Sequence, residues 1–117
     1  MRKEEEIFNN PLLKEIRDFG VFKAGLITLP IARQCSVIFS NNENGFEHVS
    51  VSPRNKDRIP TWKDMCILKN IFWGEEEEVY QIHPKKSEYV NISENCLHLW
   101  KPIHGELKDL GGKSNRN

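Results

Sequence analysis

Several protein classes are marked by features that this chain lacks. It has three cysteines, Cys35, Cys66 and Cys96, an odd number set far apart with no CxxC pair. A disulfide framework is therefore not expected, and reduced thiols in a cytoplasmic protein are the simplest reading. Net charge is missing as well: seventeen basic residues balance seventeen acidic ones. No overall field draws the protein to a membrane or to duplex nucleic acid, although a local basic pocket is compatible with that balance. No apolar run is long enough to span a bilayer. The opening "MRKEEEIFNN" has charges but no apolar core segment, which argues against a signal peptide. There is no internal repeat. At 117 residues the expectation is one domain over 1–110, followed by a polar tail, 111–117, with the composition of a disordered segment.

What is present alternates between strand and helix signals. Ile7, Phe8, Leu12, Leu13, Ile16 and Phe19 fall near helical spacing, so a helix is expected within residues 3–19, broken or begun near Pro11 and stopped by Gly20. Residues 21–29 could add an edge strand before Pro30. "QCSVIFS" (34–40) and "FEHVSVS" (46–52) flank the polar linker "NNENG" and read as a β-hairpin. Thr61 with Asp64 approximates a capping box ahead of the apolar "WKDMCILKNIFW", a helix that Gly74 should end. Strands are expected at 75–83, up to Pro84, and at 96–102. The fold class is α+β: an antiparallel sheet of four or five strands packed against one or two helices.

Alternation then sorts side chains onto two faces. Val49 and Val51 oppose His48, Ser50 and Ser52, while Leu97 and Leu99 oppose Cys96, His98 and Trp100. One assembly sets Val49, Val51, Tyr80, Ile82, Leu97 and Leu99 against the helix. His48, Ser50, Gln81, His83, His98 and Trp100 then gather on the other face. Beyond His83 the chain continues as "PKKSEYVN", where Lys85 and Lys86 offer charge to a phosphate and Ser87, Tyr89 and Asn91 offer directional hydrogen bonds. Arg54, Lys56 and Arg58 could extend this rim, and Trp100, Tyr89 or Trp62 could stack on a base.

The expected ligand set is thus His48, Ser50, His83, Lys85, Lys86, Ser87, Tyr89, Asn91, His98 and Trp100. It suits a nucleotide or another small phosphorylated ligand better than duplex nucleic acid, and it calls for no cofactor. Other chemistries use the same residues. His48, His83 and His98 could supply three metal ligands, but no local spacing supports such a site. Cys96 could be a nucleophile beside His48. "HVS" (48–50) resembles half of the paired His-x-Ser/Thr signature of the two-histidine phosphoesterases, but "HLW" (98–100) and "HPK" (83–85) lack the hydroxyl.

The ordered landmarks "EHVSVS", "PTWKDMCILKNIFWGEEEEVYQIHP", "KSEYVN" and "CLHLWKP" resemble an uncharacterised family of small proteins encoded by bacteriophages and prophages. The resemblance covers about half the chain and brings no catalytic residues with it. It implies an accessory protein of an infected bacterial cytoplasm. The expected role is to bind a small anionic ligand without turnover, a nucleotide signal being the leading case, and so to counter host defence, with a homo-oligomer as a compatible accompaniment. The alternatives are a phosphoesterase or hydrolase using the sheet-face histidines, and an interaction module docking a host protein through Trp62, Trp73 or Trp100.

Overall fold

The structure, a computed structural model, describes residues 1–43, 45–82 and 96–103. Within them lie eight elements: α1 (Glu4–Phe8), β1 (Leu13–Asp18), β2 (Lys23–Leu29), β3 (Arg33–Glu43), β4 (Phe46–Pro53), α2 (Trp62–Phe72), β5 (Tyr80–Ile82) and β6 (Leu97–Pro102). All the strand pairings are antiparallel, in one six-stranded sheet of order β1-β2-β3-β4-β6-β5. The α+β class holds, with a sheet larger than expected. The tail 111–117 lies outside the described residues.

The N-terminal helix expected across residues 3–19 is a correction. Only Glu4–Phe8 is helical, and Leu13–Asp18 is a strand. The spacing of Leu13 and Ile16 has another physical origin, a β-bulge. Register slips between Lys14 and Arg17, and Glu15 sits at φ 52. One extra residue places positions three apart on the same side, which imitates a helical period. Opposite the bulge, a Cβ on Gly25 would lie 3.0 Å from the Lys14 carbonyl oxygen, a close approach that favours glycine there. The strand expected over 75–83 is also shorter, because the four glutamates precede it in exposed, non-strand backbone.

The core lies on one face of the sheet. Ile27, Leu29, Val37, Phe39, Val49, Val51, Leu97 and Leu99 project toward α2, which returns Leu68, Ile71 and Phe72 from one helical stripe. Phe39 and Phe72 pack with ring centroids 4.9 Å apart, and each fully buried side chain of this size contributes about 2 to 3 kcal/mol. Helix α2 starts where the Thr61–Asp64 pair predicts: the Asp64 carboxylate accepts the Thr61 N–H at 3.2 Å. It also accepts the N–H groups of Ile31 and Ala32, each at 2.9 Å, although Asp64 is 0% exposed. One buried carboxylate thereby ties the β2–β3 turn to the helix N-terminus, where negative charge also meets the favourable end of the helix dipole. Gly74, at φ +132, closes the helix with its N–H on the Lys69 carbonyl.

Candidate functional site

The opposite face carries the chemistry. In β4, His48, Ser50 and Ser52 alternate with the core valines, and in β6 the same alternation sets His98 and Trp100 against Leu97 and Leu99. Because β4 and β6 are neighbours, His48 pairs with Trp100 and Ser50 with His98. This adjacency brings four of the expected ligand residues, His48, Ser50, His98 and Trp100, onto one face. His83, Lys85, Lys86, Ser87, Tyr89 and Asn91 lie outside the described residues.

The phase of β5 is a correction. Tyr80 pairs with Trp100 and Gln81 with Leu99, so Tyr80 shares the histidine face and Gln81 the helix side. Alternation within the strand was readable, but the choice of face follows from pairing with β6. The arginines and tryptophans also divide. Arg58 donates to the Ile31 carbonyl at 3.1 Å, and Arg54 lines a cavity of about 180 Å³ between β1, β2 and β3 that includes neither histidine nor Cys96. Trp62 is 66% exposed, whereas Trp73 is buried and donates its indole N–H to Glu47 at 2.8 Å.

At the centre is a hydrogen-bonded chain. His48 Nε2 and His98 Nδ1 are 3.0 Å apart, and His98 Nε2 is 3.4 Å from Cys96 Sγ. The two rings are nearly parallel, 9° between planes, with centroids 5.2 Å apart. Parallel rings whose nitrogens touch at that centroid spacing are joined edge to edge, as an in-plane N–H···N bond requires. They leave no room for a phosphate between them, which weighs against an opposed acid–base histidine pair. Ser50 Oγ and Ser52 Oγ each lie 3.3 Å from the same sulfur. Among the possible histidine partners of Cys96, the direct one is His98, with His48 one link further away. Ser52, Cys96 and Tyr80 are absent from the expected ligand set. The signal for the first two was the two-residue spacing of Ser50–Ser52 and Cys96–His98.

These contacts set the state of the thiol. Burial pushes Cys96 up, but hydrogen bonds with His98, Ser50 and Ser52, together with the charge of the His98 ring, outweigh it and bring the group down to about 7. Both ring contacts are satisfied when His98 donates its Nδ1–H to His48 and accepts the thiol proton at Nε2, and equally when His48 donates to Nδ1 and Nε2–H points at the sulfur. Among the described residues no group of three or more His, Cys, Asp or Glu is arranged to hold a metal ion. Cys96, His98 and His48 run in series instead of converging on one point.

Past the histidines the face turns aromatic. Trp100 packs against Phe46 and Tyr80, with centroids 6.3 and 6.2 Å away. Tyr80 is 6% exposed, and its hydroxyl and the Trp100 indole N–H are both buried, with no hydrogen-bond partner among the described residues. Buried donors of this kind are uncommon in folded proteins and costly to leave unmatched.

Residues 37–104 match the family described as a domain of unknown function (DUF7694). The chain belongs to that family. The DUF7694 segment begins inside β3 and takes in β4, α2, β5 and β6, hence the whole Cys96–His98–His48 chain and the helix behind it. It leaves out α1, β1 and β2. Comparison with curated proteins and with solved structures returns no match. Among the described residues no helix is long and apolar enough to cross a membrane.

Proposed function

We propose that the face formed by β4, β6 and β5 binds a small anionic ligand, a nucleotide or comparable phosphorylated molecule, and holds it without turnover. The observation that carries this reading is the pair of buried donors, Tyr80 Oη–H and Trp100 Nε1–H, that no described residue matches. The indole can only donate, and the phenol can donate, so together they suit an oxygen-rich acceptor. Trp100 and Phe46 add aromatic surface suited to a base, with His48 paired to Trp100 on the neighbouring strand. His83, Lys85, Lys86, Ser87, Tyr89 and Asn91 belong to the proposal on the strength of their sequence alone. The biological setting, an accessory bacteriophage protein that sequesters a host defence signal in the bacterial cytoplasm, with or without a homo-oligomer around the ligand, rests on the family resemblance.

A thermal-shift screen against linear and cyclic nucleotides tests the reading, with bound ligand recovered and analysed. The expected result is a saturable rise in Tm, with ligand released intact. Trp100→Phe and Tyr80→Phe keep the aromatic packing and remove one donor each, and each should weaken binding about tenfold, as the loss of one hydrogen bond of about 1.4 kcal/mol would. No shift with any nucleotide overturns the proposal, and a cleaved product moves the case to the hydrolase.

A further inference from the structure

The geometry points to a second activity on the same face: Cys96 is a nucleophile toward small activated carbonyl compounds, with His98 as its base and His48 as the residue that positions His98. The series arrangement is what such a role needs. His98 Nε2 faces the sulfur and His98 Nδ1 meets His48 Nε2, so the ring orientation is fixed, and in the tautomer that donates from Nδ1 to His48 the nitrogen against the sulfur is the basic one. His48 does for this imidazole what a carboxylate does in a triad. Ser50 and Ser52, both 3.3 Å from the sulfur, steady the thiolate and are the hydroxyl donors nearest to an oxygen brought against it. The buried Tyr80 hydroxyl on the same face, which no described residue matches, is an independent sign that the face accepts a molecule.

Competing uses of the thiol fit less well. A dithiol switch needs a second cysteine within disulfide reach, and Cys35 pairs with Ile27 and Pro53 on the helix side of the sheet, the opposite face. Cys66 is exposed on α2, which covers that same helix side. A metal needs converging ligands, and these run in series.

The step balances within the residues named. The Cys96 S–H proton passes to His98 Nε2, and the sulfur lone pair forms a bond to the carbonyl carbon while the C=O π pair moves to oxygen. Collapse of that adduct breaks the bond to the leaving alkoxide or thiolate, which takes the proton from His98. An acyl thioester remains on Cys96. Water, deprotonated by His98, then adds to the thioester carbonyl. The Cys96 thiolate leaves, the carboxylic acid is released, and the proton on His98 returns to the sulfur.

The test is acylation of the full chain by p-nitrophenyl acetate, with release of nitrophenol followed in time and the acetyl group mapped by peptide mass spectrometry. A burst is expected, with acetyl on the peptide that contains Cys96 and a rate rising with pH through an apparent pKa near 7. Among the described residues the titratable groups facing the thiol are His98 and, through it, His48. His98→Gln should slow acylation roughly 10²-fold at neutral pH. His48→Ala should leave Cys96 in place and displace the pH profile upward, which a purely structural loss would not do. Acetyl found on exposed Cys66 in preference to Cys96, or a wild-type profile that follows an ordinary thiol, overturns the inference, and neither outcome depends on a variant folding. The ester reports on Cys96 and the nucleotide screen reports on anion binding, so either reading can fail while the other stands.

Discussion

Cys35 and Cys96 sit on opposite faces of one sheet, both nearly inaccessible, and their surroundings drive them in opposite directions. Cys35 belongs to the apolar core, paired with Ile27 and Pro53 across the sheet, and its thiol donates to the Arg33 carbonyl at 3.4 Å. Burial, with the Asp64 carboxylate nearby, pushes it up to about 12. Cys96 also pays for burial, but two serine hydroxyls and an imidazole stand within 3.4 Å of its sulfur and bring it down to about 7. Depth alone therefore does not decide whether a thiol is inert. What decides is whether hydrogen-bond donors reach the sulfur, and alternation along β4 delivers them to one face while sending valines to the other.

The comparison breaks most visibly through the charge buried on the apolar side. Asp64 serves three backbone N–H groups and is the negative charge that helps hold Cys35 protonated. Asp64→Ala leaves those donors unmatched in the interior, at about 1 to 3 kcal/mol each where water cannot enter. Urea unfolding should show a loss of about 3 kcal/mol or more. Cys35 should remain well above the ordinary thiol range, because burial is the larger cause and survives the substitution. If Cys35 instead became readily alkylated in the folded variant, burial would not be what silences it.

The next effect is a pH dependence of opposite sign for the two thiols. Cys96 is near 7 when folded and near 9 as a free thiol, so its contribution is absent below pH 7 and complete above pH 9. Two units at about 1.4 kcal/mol each bound the gain at roughly 2 to 3 kcal/mol. Cys35 does the reverse: above pH 9 its thiol ionises in the unfolded chain and not in the folded one, so stability falls toward pH 12. Unfolding free energies measured across this range should rise and then fall. Cys96→Ser should remove the rise and leave the fall. A fall that disappears with the rise would mean that the two faces are coupled and not independent.

How much of this contrast was legible in the sequence depends on the range of the information. The alternation of "EHVSVS" and "CLHLW" is local, and it grouped His48 with Ser50 on one side of their strand and His98 with Trp100 on one side of theirs, because side chains in a strand have no other choice. The capping pair Thr61–Asp64 was legible for the same reason. Pairing is not local. Whether Tyr80 or Gln81 joined the histidines depended on β5 meeting β6 in one register, and single-strand alternation contains no such phase. The N-terminal strand was hidden by its own irregularity, since the bulge at Glu15 gives Leu13 and Ile16 a helical interval. The link from Cys96 to His98 was within reach, at i and i+2 on one strand. The extension to His48 required knowing that β4 and β6 are neighbours.

The smallest predicted effect asks whether the donors on Cys96 act separately. Ser52 donates to the sulfur at 3.3 Å, Ser50 lies at the same distance, and His98 is at 3.4 Å; burial is the largest influence and acts upward, and of the contacts that lower the thiol the imidazole is the strongest, with the serines following. Ser52→Ala removes one hydroxyl and leaves a methyl-sized group on a half-buried position, so the fold should be unchanged within about 0.5 kcal/mol. Thiolate ultraviolet absorbance titrated against pH should show Cys96 rising by a fraction of a unit. The double variant Ser50→Ala/Ser52→Ala should rise by about the sum of the two single changes if the hydroxyls act independently. A double variant that rises by much more would mean that each serine compensates for the other by rotating onto the sulfur. The low thiol would then belong to the cluster as a whole, and no single hydrogen bond could be credited with the difference between the two faces.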